Sequence, residues 1–375
     1  MNVLIVPDGF KDSLTAAEVA QAIEQGVKQF DHNAQTFKLV ASDGGDGFLN
    51  VVEHYNRNKF QTVVVETTDP LGRDIEARYL YDSTKQTAYL ELTAASGIEL
   101  LSKEERRVME TSTYGTGKIL MHAVKAGAKI IYIGLGGSAT NDAGIGIAAA
   151  MGWQFLDIDG NALNPMGGNL NLIDKIVPPQ TALPDFKVYA INDVQNPLYG
   201  PEGAAETYSR QKGASELQVK LLDSGLRHLD AKVHAQLGME NSKIPGTGAA
   251  GGTAYGLKTF FNAEFKPGTP FMLELAGFYE ILESNEIDLI ITGEGSIDHQ
   301  TKHGKLISGI IKAAAPYKAP VYSICGLNKL DDSQVKKLGL AGAKQLYHPE
   351  QPKGYSFTHA AELVSARTEE ILASL

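Results

Sequence analysis

The sequence has little cysteine, no long apolar run and no run of like charge, and each absence excludes a class of protein. Cys325 is the single cysteine in 375 residues, so neither an intrachain disulfide nor a cysteine-based zinc site can form. It lies in an apolar run, and we expect it to pack in the core rather than to act as a nucleophile.

Membrane and nucleic-acid partners are also disfavoured. No apolar stretch approaches the length that spans a bilayer, and residues 1–7 lack the pattern of a signal peptide. The formal net charge of −10 is spread along the chain and would repel nucleic acid and anionic membranes. We therefore expect a cytoplasmic globular protein that binds small molecules, with no nucleic acid and no membrane as partner.

Glycine is abundant, with 39 residues, and the segment at 134–146 is especially rich in it. An apolar run precedes this segment and small residues follow it, which predicts a strand, a glycine loop and a helix. Such a loop can direct several backbone N–H groups at one phosphate. We expect Gly136, Gly137, Ser138, Thr140 and Asn141 to bind phosphate. The alternative is a tight turn without a ligand, although a turn needs fewer glycines.

The same segment satisfies the dinucleotide-binding pattern G-x-G-x-x-A, from Gly134 through Gly136 to Ala139. Asp157 follows roughly 20 residues later, where an acid that binds ribose is expected. A nicotinamide-dependent dehydrogenase is therefore one alternative function, and a non-catalytic nucleotide-binding protein is another.

Two common signatures of nucleoside triphosphate enzymes are missing from the sequence. Ile119 follows Gly117-Lys118, and Leu306 follows Gly304-Lys305, so neither pair carries the metal-binding hydroxyl of a Walker A motif. The catalytic-loop and magnesium-binding signatures of protein kinases are missing as well.

Strand-like and helix-like segments alternate at both ends of the chain, and three β-rich segments lie between them. The predicted strands are 2–6, 37–40, 60–66, 75–81, 87–92, 128–133, 187–191, 287–292, 320–325 and 343–347. We predict an α/β fold in which residues 1–59 and 286–375 form a Rossmann-like domain with a parallel sheet. Residues 60–285 form an inserted α/β domain with a mixed sheet, and the active site lies in the cleft between the domains.

Polar loops with glycine follow many of these segments, and several carry acidic residues. They lie at residues 8–11, 43–47, 111–117, 134–146, 192–197, 246–252 and 293–301. A dehydrogenase needs one phosphate-binding turn, whereas phosphoryl transfer needs donors for phosphates, carboxylates for Mg²⁺ and a base near the acceptor hydroxyl. The set of loops favours a site that binds a polyphosphate and a metal.

Motifs from most of these loops match one family, in the same order and over nearly the whole chain. They are DGFKDSL at 8–14, DGGDG at 43–47, TYGTG at 113–117, GGSATND at 136–142, Asp193 with Asn196 and Pro197, QKGA at 211–214, GAAGG at 248–252, and TGEG at 292–295 with residues 297–298 and 300–301. The set resembles the type I glycerate kinases. The resemblance implies a two-domain α/β enzyme that uses ATP and Mg²⁺ to phosphorylate D-glycerate, with 2-phosphoglycerate favoured as the product, and it leaves a homodimer open.

The chain departs from the pattern of that family at a few positions, and one of them concerns binding. The departures are Gly9, Ala143, Gln195, Tyr199 and Ser296. The family has glycine at the position of Ala143 and arginine at that of Ser296. If that arginine contacts phosphate or the glycerate carboxylate, then Lys302, Lys305 or Arg210 must replace it.

Two residues are candidates for catalysis. Lys11 follows a strand end, where its ammonium can hold a phosphate, and Asp193 follows another, where its carboxylate can orient the glycerate hydroxyl as a base. A solvated lysine and an Asx turn are the alternatives.

Metal, phosphate and substrate contacts complete the predicted site. The candidate metal ligands are Asp43, Asp46, Glu294 and Asp298; Gly293 and Gly295 are added to the phosphate contacts; Arg73, Arg210, Lys212 and Lys305 are candidates for the glycerate carboxylate. The acids could instead be turn and cap residues, and the sequence does not choose among the cations.

Overall fold

The computed structural model describes residues 1–10, 13–40, 47–55, 60–298, 301, 306–352 and 354–375. The strands are β1 (Asn2–Pro7), β2 (Gln35–Lys38), β3 (Gln61–Thr68), β4 (Asp74–Asp82), β5 (Thr87–Glu91), β6 (Ile130–Gly134), β7 (Gln154–Leu156), β8 (Lys175–Val177), β9 (Lys187–Ile191), β10 (Glu264–Lys266), β11 (Leu289–Ile297), β12 (Val321–Asn328) and β13 (Gly342–Gln345). The helices are α1 (Ala16–Phe30), α2 (Phe48–Tyr55), α3 (Thr93–Ser96), α4 (Tyr114–Lys125), α5 (Ile145–Ala150), α6 (Ala204–Tyr208), α7 (Glu216–Leu237), α8 (Ala249–Phe261), α9 (Gly268–Leu275), α10 (Phe278–Ser284), α11 (Leu306–Ala314), α12 (Asp332–Leu338), α13 (Tyr355–Thr358) and α14 (Ala360–Leu372). Within the described ranges, no helix combines the length and the apolar character needed to cross a bilayer.

The chain divides into two compact units. Unit 1 comprises Met1–Asp43 and Thr269–Leu375, and unit 2 comprises Gly44–Gly268. Unit 1 holds a parallel sheet and unit 2 a mixed sheet, so the predicted α/β fold class is confirmed.

Unit 1 is built on a five-stranded sheet in the order β13-β12-β11-β1-β2, with every pairing parallel. Strand β1 lies between β2 and β11, and Val3 pairs with Thr36 on one side and with Leu289 on the other. Successive strands therefore extend to opposite sides of the β1–β11 pair. In open α/β sheets, ligands bind outside the carboxyl ends of the strands at such a reversal.

The sequence of helix α1 explains where the helix begins and how it packs against α14. Thr15 caps its first turn, and Glu18 completes a capping box. Ile23 is fully buried on its apolar face. A Cβ atom on Gly26 would lie 2.4 Å from the Ser365 carbonyl oxygen, so glycine at this position permits the close packing of α1 against α14.

Unit 2 is built on a six-stranded sheet in the order β10-β9-β6-β5-β4-β3. Strands β3, β4 and β5, which are the three predicted β-rich segments, form an antiparallel meander, while β5, β6, β9 and β10 pair in parallel. Ile131 and Ile133 of β6 are fully buried in a core that also contains Leu120 of α4 and Leu257 of α8. Strands β7 and β8 form a separate two-stranded sheet.

Three segments differ from the predicted pattern. The segment expected as a glycine loop at 293–301 continues β11 as far as Ile297, because Gly293 permits close strand packing: a Cβ on Gly293 would lie 2.7 Å from the Ile324 carbonyl oxygen. The sequence of residues 271–282 predicts one helix, but the structure divides this region into α9 and α10 at Gly277, which has φ of +76°. Helix α5 has only six residues, so no long helix end supports the glycine-rich segment.

Candidate active site

Two of the predicted site segments leave the same edge of the sheet in unit 2. Gly134 ends β6 and Ile191 ends β9, and these residues are paired in register. The Leu135 amide donates a hydrogen bond of 3.1 Å to the Ile191 carbonyl oxygen, just before the two chains diverge. The glycine loop, residues 135–144, and the segment that carries Asp193 therefore begin side by side.

The start of the glycine loop presents unused backbone donors. In the described part of the chain, the N–H groups of Gly136, Gly137 and Ser138 have no acceptor, whereas the next amide, of Ala139, donates 2.8 Å to the Ser96 carbonyl oxygen. Gly136 and Gly137 are half-buried, and Gly137 has φ of +60°. Successive free amides at such a backbone bend form a concavity that binds anions.

Lys212 lies beneath this loop, with its side chain buried. Its Nζ donates hydrogen bonds of 2.7 Å to Ser138 Oγ and to the Thr140 carbonyl oxygen. An ammonium has three donors, and the third has no partner among the described residues. Burial lowers the pKa of Lys212 to about 7, and the charge of Asp142 partly offsets this. An anion bound at the loop would favour the charged form of this lysine.

Asp142 fixes the far end of the loop, although the motif that contains it did not indicate a role for it. Its carboxylate is fully buried and accepts 2.8 Å hydrogen bonds from the Thr113 amide and hydroxyl. It also accepts from the amides of Gly144 and Gly146, at 3.1 and 3.3 Å. Burial raises the pKa of Asp142, and these hydrogen bonds oppose the rise. We assign it a positioning role.

Thr140 and Asn141 carry polar atoms that the described residues leave unsatisfied. The Thr140 hydroxyl and both polar atoms of the Asn141 amide are buried without a hydrogen-bond partner there. Such atoms cost free energy in a folded protein, and each calls for an explanation such as a bound ion, water or substrate. Both residues were predicted to bind phosphate, and their unmet hydrogen bonds lie in the loop that Lys212 supports.

Asp193 lies two residues beyond the end of β9, as predicted. Its Oδ1 accepts a 2.9 Å hydrogen bond from the Gly268 amide, which fixes the orientation of the carboxylate. The position is suitable for a base next to the glycine loop, because β6 and β9 are neighbours in the sheet.

Two predicted substrate cations are engaged elsewhere. The Arg73 guanidinium pairs with Asp69 and Glu105, and that of Arg210 pairs with Glu206 and Glu216. Only Lys212, of these three cations, is hydrogen-bonded to the glycine loop. The roles of Arg73 and Arg210 stay predictions.

Four further predicted residues lie outside the residues that the structure describes. They are Lys11, Asp43, Asp46 and Lys305. Their assigned roles in phosphate, metal and carboxylate binding likewise stay predictions.

Unit 1 contains a cavity of about 820 Å³ at the carboxyl ends of its strands. The residues that line it are Asp8, Gly9, Phe10, Ser13, Glu294, Gly295, Ser296, Leu306, Gly326, Leu327, Leu346, Tyr347, Ser356 and Phe357. They come from the segment after β1, the last part of β11 and β12, the segment after β13, and helices α11 and α13. We call this the unit 1 cavity.

The cavity includes some of the predicted residues and omits others. Glu294 and Gly295 line it, and Glu294 accepts a 3.2 Å hydrogen bond from the Thr301 hydroxyl. Gly293 is buried in the strand, and Asp298 pairs with Lys329 at 3.8 Å. Of the candidate metal ligands that are described, Glu294 is therefore the one on the cavity wall.

Cys325 lies in the strand next to Glu294 and is fully buried, as expected. Burial raises the pKa of Cys325 to about 12, and the charge of Glu294 adds to the effect. The thiol is therefore protonated at neutral pH and has no role as a nucleophile.

The dinucleotide alternative is wrong in its geometry. In that motif the glycine turn opens a helix directly, and the acid ends a neighbouring strand of the same sheet. Here α5 begins only at Ile145, beyond Ala139. Asp157 follows β7, in the separate two-stranded sheet, and accepts hydrogen bonds from Asp159 and Asn161 of its own turn. The turn needs this acid, and the predicted ribose contact has no structural basis.

Comparison with known proteins agrees with the resemblance seen in the motifs. Residues 3–375 match the profile of the family described as "Glycerate kinase family". A glycerate kinase from Bacillus subtilis is 37% identical, covering 100% of this chain and 98% of the relative. A glycerate 2-kinase from Escherichia coli is 37% identical, covering 87% of this chain and 85% of the relative.

A solved structure is similar over the same extent. The crystal structure of a Salmonella typhimurium LT2 protein assigned as glycerate kinase 2 superposes with a TM-score of 0.80 at 33% identity, covering 100% of this chain and 98% of that one. This family is one of enzymes, so the non-catalytic alternative is also set aside. The chain therefore belongs to the glycerate kinase family, and it is an enzyme that phosphorylates glycerate.

Proposed function

We propose that the enzyme transfers the γ-phosphoryl group of ATP to the 2-hydroxyl of D-glycerate, giving 2-phosphoglycerate and ADP, with Mg²⁺ as cofactor. The observation that carries the proposal is the row of unused amide donors at Gly136, Gly137 and Ser138 above the buried ammonium of Lys212. The 2-position is supported by the name of the Escherichia coli relative, a glycerate 2-kinase.

The glycine loop holds the anionic groups of the reacting pair. Both substrates are anions, and a chain with net charge of −10 must bind them through local donors. Amides and an ammonium fixed before the substrates arrive stabilise charge without the cost of reorganising the site. The side chains of Thr140 and Asn141 add hydrogen bonds that the folded chain leaves unmet.

Asp193 acts as the base in this proposal. As the hydroxyl oxygen of glycerate forms its bond to phosphorus, its proton passes to the Asp193 carboxylate and the bond from phosphorus to the ADP oxygen breaks. The hydrogen bond from Gly268 to Oδ1 fixes the orientation of this carboxylate. A base held beside the glycine loop is therefore in place before substrate binds.

Mg²⁺ fits the described residues as an ion held mainly by its nucleotide. Within the described ranges, no group of three or more His, Cys, Asp or Glu residues is arranged to hold a metal by itself. Mg²⁺ in kinases usually binds one or two carboxylates together with substrate phosphates. Glu294, on the wall of the unit 1 cavity, would supply such a carboxylate. The ion would neutralise charge on the phosphates.

The product is tested by coupling the reaction to enolase, which uses 2-phosphoglycerate but not the 3-isomer. With ATP, Mg²⁺ and D-glycerate, we expect phosphoenolpyruvate to form at once without added phosphoglycerate mutase. Formation only after the mutase is added would place the phosphate on the 3-hydroxyl. Turnover with GTP or pyrophosphate, but not with ATP, would reject the proposed donor, and full activity in the presence of excess EDTA would reject Mg²⁺.

A further inference from the structure

Three large apolar side chains that unit 1 exposes to solvent surround a single cavity. Leu327, Tyr347 and Phe357 are 36%, 46% and 56% exposed, and all three line the unit 1 cavity. A single exposed apolar residue is normal, but a group of them around a concave site marks a place where a ligand covers them. Two of the three are aromatic and can stack on a flat ring.

We call Tyr347 and Phe357 the aromatic rim of the cavity. Hydrogen bonds within unit 1 hold this rim in place. The Ser13 hydroxyl donates 3.1 Å to the Phe357 carbonyl oxygen, which anchors the short helix α13. The Tyr347 amide donates 3.0 Å to the Gly326 carbonyl oxygen and continues the pairing beyond the end of β13. The aromatic rim is therefore positioned by the fold before any ligand binds.

Gly295 also lines the cavity and leaves open space beside its backbone. A Cβ atom built on this residue would have no neighbour within 4 Å, although Gly295 lies inside β11 and its φ is outside the left-handed range. The fold therefore does not require glycine here for conformation or for internal packing. A ligand that approaches the strand backbone would explain the missing side chain.

The charge of the lining determines which part of a ligand fits. Asp8 and Glu294 contribute carboxylates, and the lining residues that the structure describes include no lysine, arginine or histidine. Carboxylates of this kind accept hydrogen bonds from hydroxyl groups. The cavity also lies at the strand-order reversal between β1 and β11, where open α/β sheets bind ligands, and its volume suits a nucleoside.

We propose that the unit 1 cavity binds the nucleoside part of ATP, with its base against the aromatic rim and the Gly295 backbone and its ribose hydroxyls at the Asp8 carboxylate. This inference rests on the proposed use of ATP. It assigns Tyr347 and Phe357 to nucleotide recognition.

The test measures binding of adenosine, ATP and tripolyphosphate to the full chain by isothermal titration calorimetry. Phe357→Ala and Tyr347→Ala should each weaken adenosine and ATP about tenfold, the usual effect of losing one stacking contact. Gly295→Ala should weaken them similarly while the melting temperature stays unchanged, because the free protein has room for the added methyl group. Affinity for tripolyphosphate, which has no base or ribose, should stay within twofold in all three variants.

Phe30→Ala is the matched control, because Phe30 is 49% exposed on unit 1 but does not line the cavity. It should change no affinity. Unchanged adenosine and ATP binding in all three cavity variants would overturn the inference. So would variants that raise the KM for glycerate and leave the KM for ATP unaltered, because the cavity would then be a glycerate site.

The same experiments separate this inference from the proposed function. If the wild-type protein binds adenosine in a manner that depends on Phe357 but uses another phosphate donor, the cavity assignment stands and the proposed ATP reaction fails. If ATP supports turnover but the KM for ATP is the same in every variant, the reaction stands and the cavity assignment fails.

Discussion

The glycine loop of unit 2 and the unit 1 cavity place their polar and apolar groups in opposite ways. The loop encloses Lys212, Asp142 and Asn141 in the interior and leaves buried donors unsatisfied, whereas the cavity exposes Tyr347 and Phe357 around its mouth. Buried polar groups without partners favour a charged ligand, and exposed aromatic groups favour a flat uncharged one. The difference is the reason for proposing that the two sites bind chemically different parts of the substrates.

The substitution with the largest expected effect at the site beside the glycine loop is Asp193→Asn. An amide cannot take the hydroxyl proton, so we expect kcat to fall about 10²- to 10⁴-fold while the dissociation constant for ATP stays within about twofold. Steady-state kinetics and calorimetry measure the two quantities. Asp157→Asn, in a surface turn of the same unit, is the control and should retain wild-type kcat. Near-normal turnover of the Asp193 variant would exclude it as the base.

Lys212→Met tests the buried cation of the glycine loop. It keeps much of the side-chain volume but removes the charge and the hydrogen bonds to Ser138 and Thr140. We expect kcat/KM for glycerate to fall about 10²-fold, the usual loss when one fixed donor to a developing charge is removed. Lys220→Met, on the exposed side of α7, should have no effect. Equal kinetics for the two variants would mean that Lys212 serves the fold alone.

The pH dependence of stability provides a second test of the same lysine. Its pKa is about 7 in the folded protein against 10.5 for the free side chain, so above pH 7 the unfolded chain holds a proton that the native state has released. The free energy of unfolding should therefore rise with pH in the wild type relative to Lys212→Met, by about 2 kcal/mol between pH 7 and 9. Urea unfolding at both pH values measures this difference. A parallel pH dependence in the two proteins would contradict a depressed pKa.

Ala143→Gly should have the smallest effect on stability, and it tests backbone strain in the glycine loop. Ala143 has φ of +54°, a left-handed conformation that costs a residue with a Cβ atom about 1 kcal/mol. Glycine relieves this cost but loses backbone entropy on folding and the packing of a fully buried methyl group, so we expect the free energy of unfolding to change by less than about 0.5 kcal/mol. The temperature of thermal unfolding should then stay close to that of the wild type.

Ala231→Gly is the matched control for that substitution. It lies on the exposed face of α7, where glycine should destabilise by about 1 kcal/mol. If both substitutions destabilise by the same amount, the backbone at Ala143 is not strained.

Local patterns in the sequence predicted where the glycine loop and Asp193 lie in the fold. A glycine-rich segment after an apolar run predicts a loop at the end of a strand. An acidic residue directly after a strand is predicted to lie at the edge of the sheet. These constraints correctly placed the glycine loop after β6 and Asp193 after β9. The same logic failed at 293–297, where glycines suggested a loop but Gly293 permits close strand packing within β11.

The aromatic residues around the unit 1 cavity had no comparable signal in the sequence. Tyr347 and Phe357 differ from core aromatic residues only in their exposure, which depends on where β13 and α13 lie in the fold. The environment of Lys212 was equally hidden. Its burial and its contacts with Ser138 and Thr140 join residues more than 70 positions apart in the chain.

The sequence alone determined the α/β class, the glycine loop, the base candidate and the resemblance to a kinase family, because periodicity, turn chemistry and motif spacing are local properties. Tertiary structure alone decided which cation supports the loop, which acid on β11 faces a cavity, and which aromatic residues stay exposed. Burial and the pKa of a side chain depend on neighbours that only the packing of distant segments brings together.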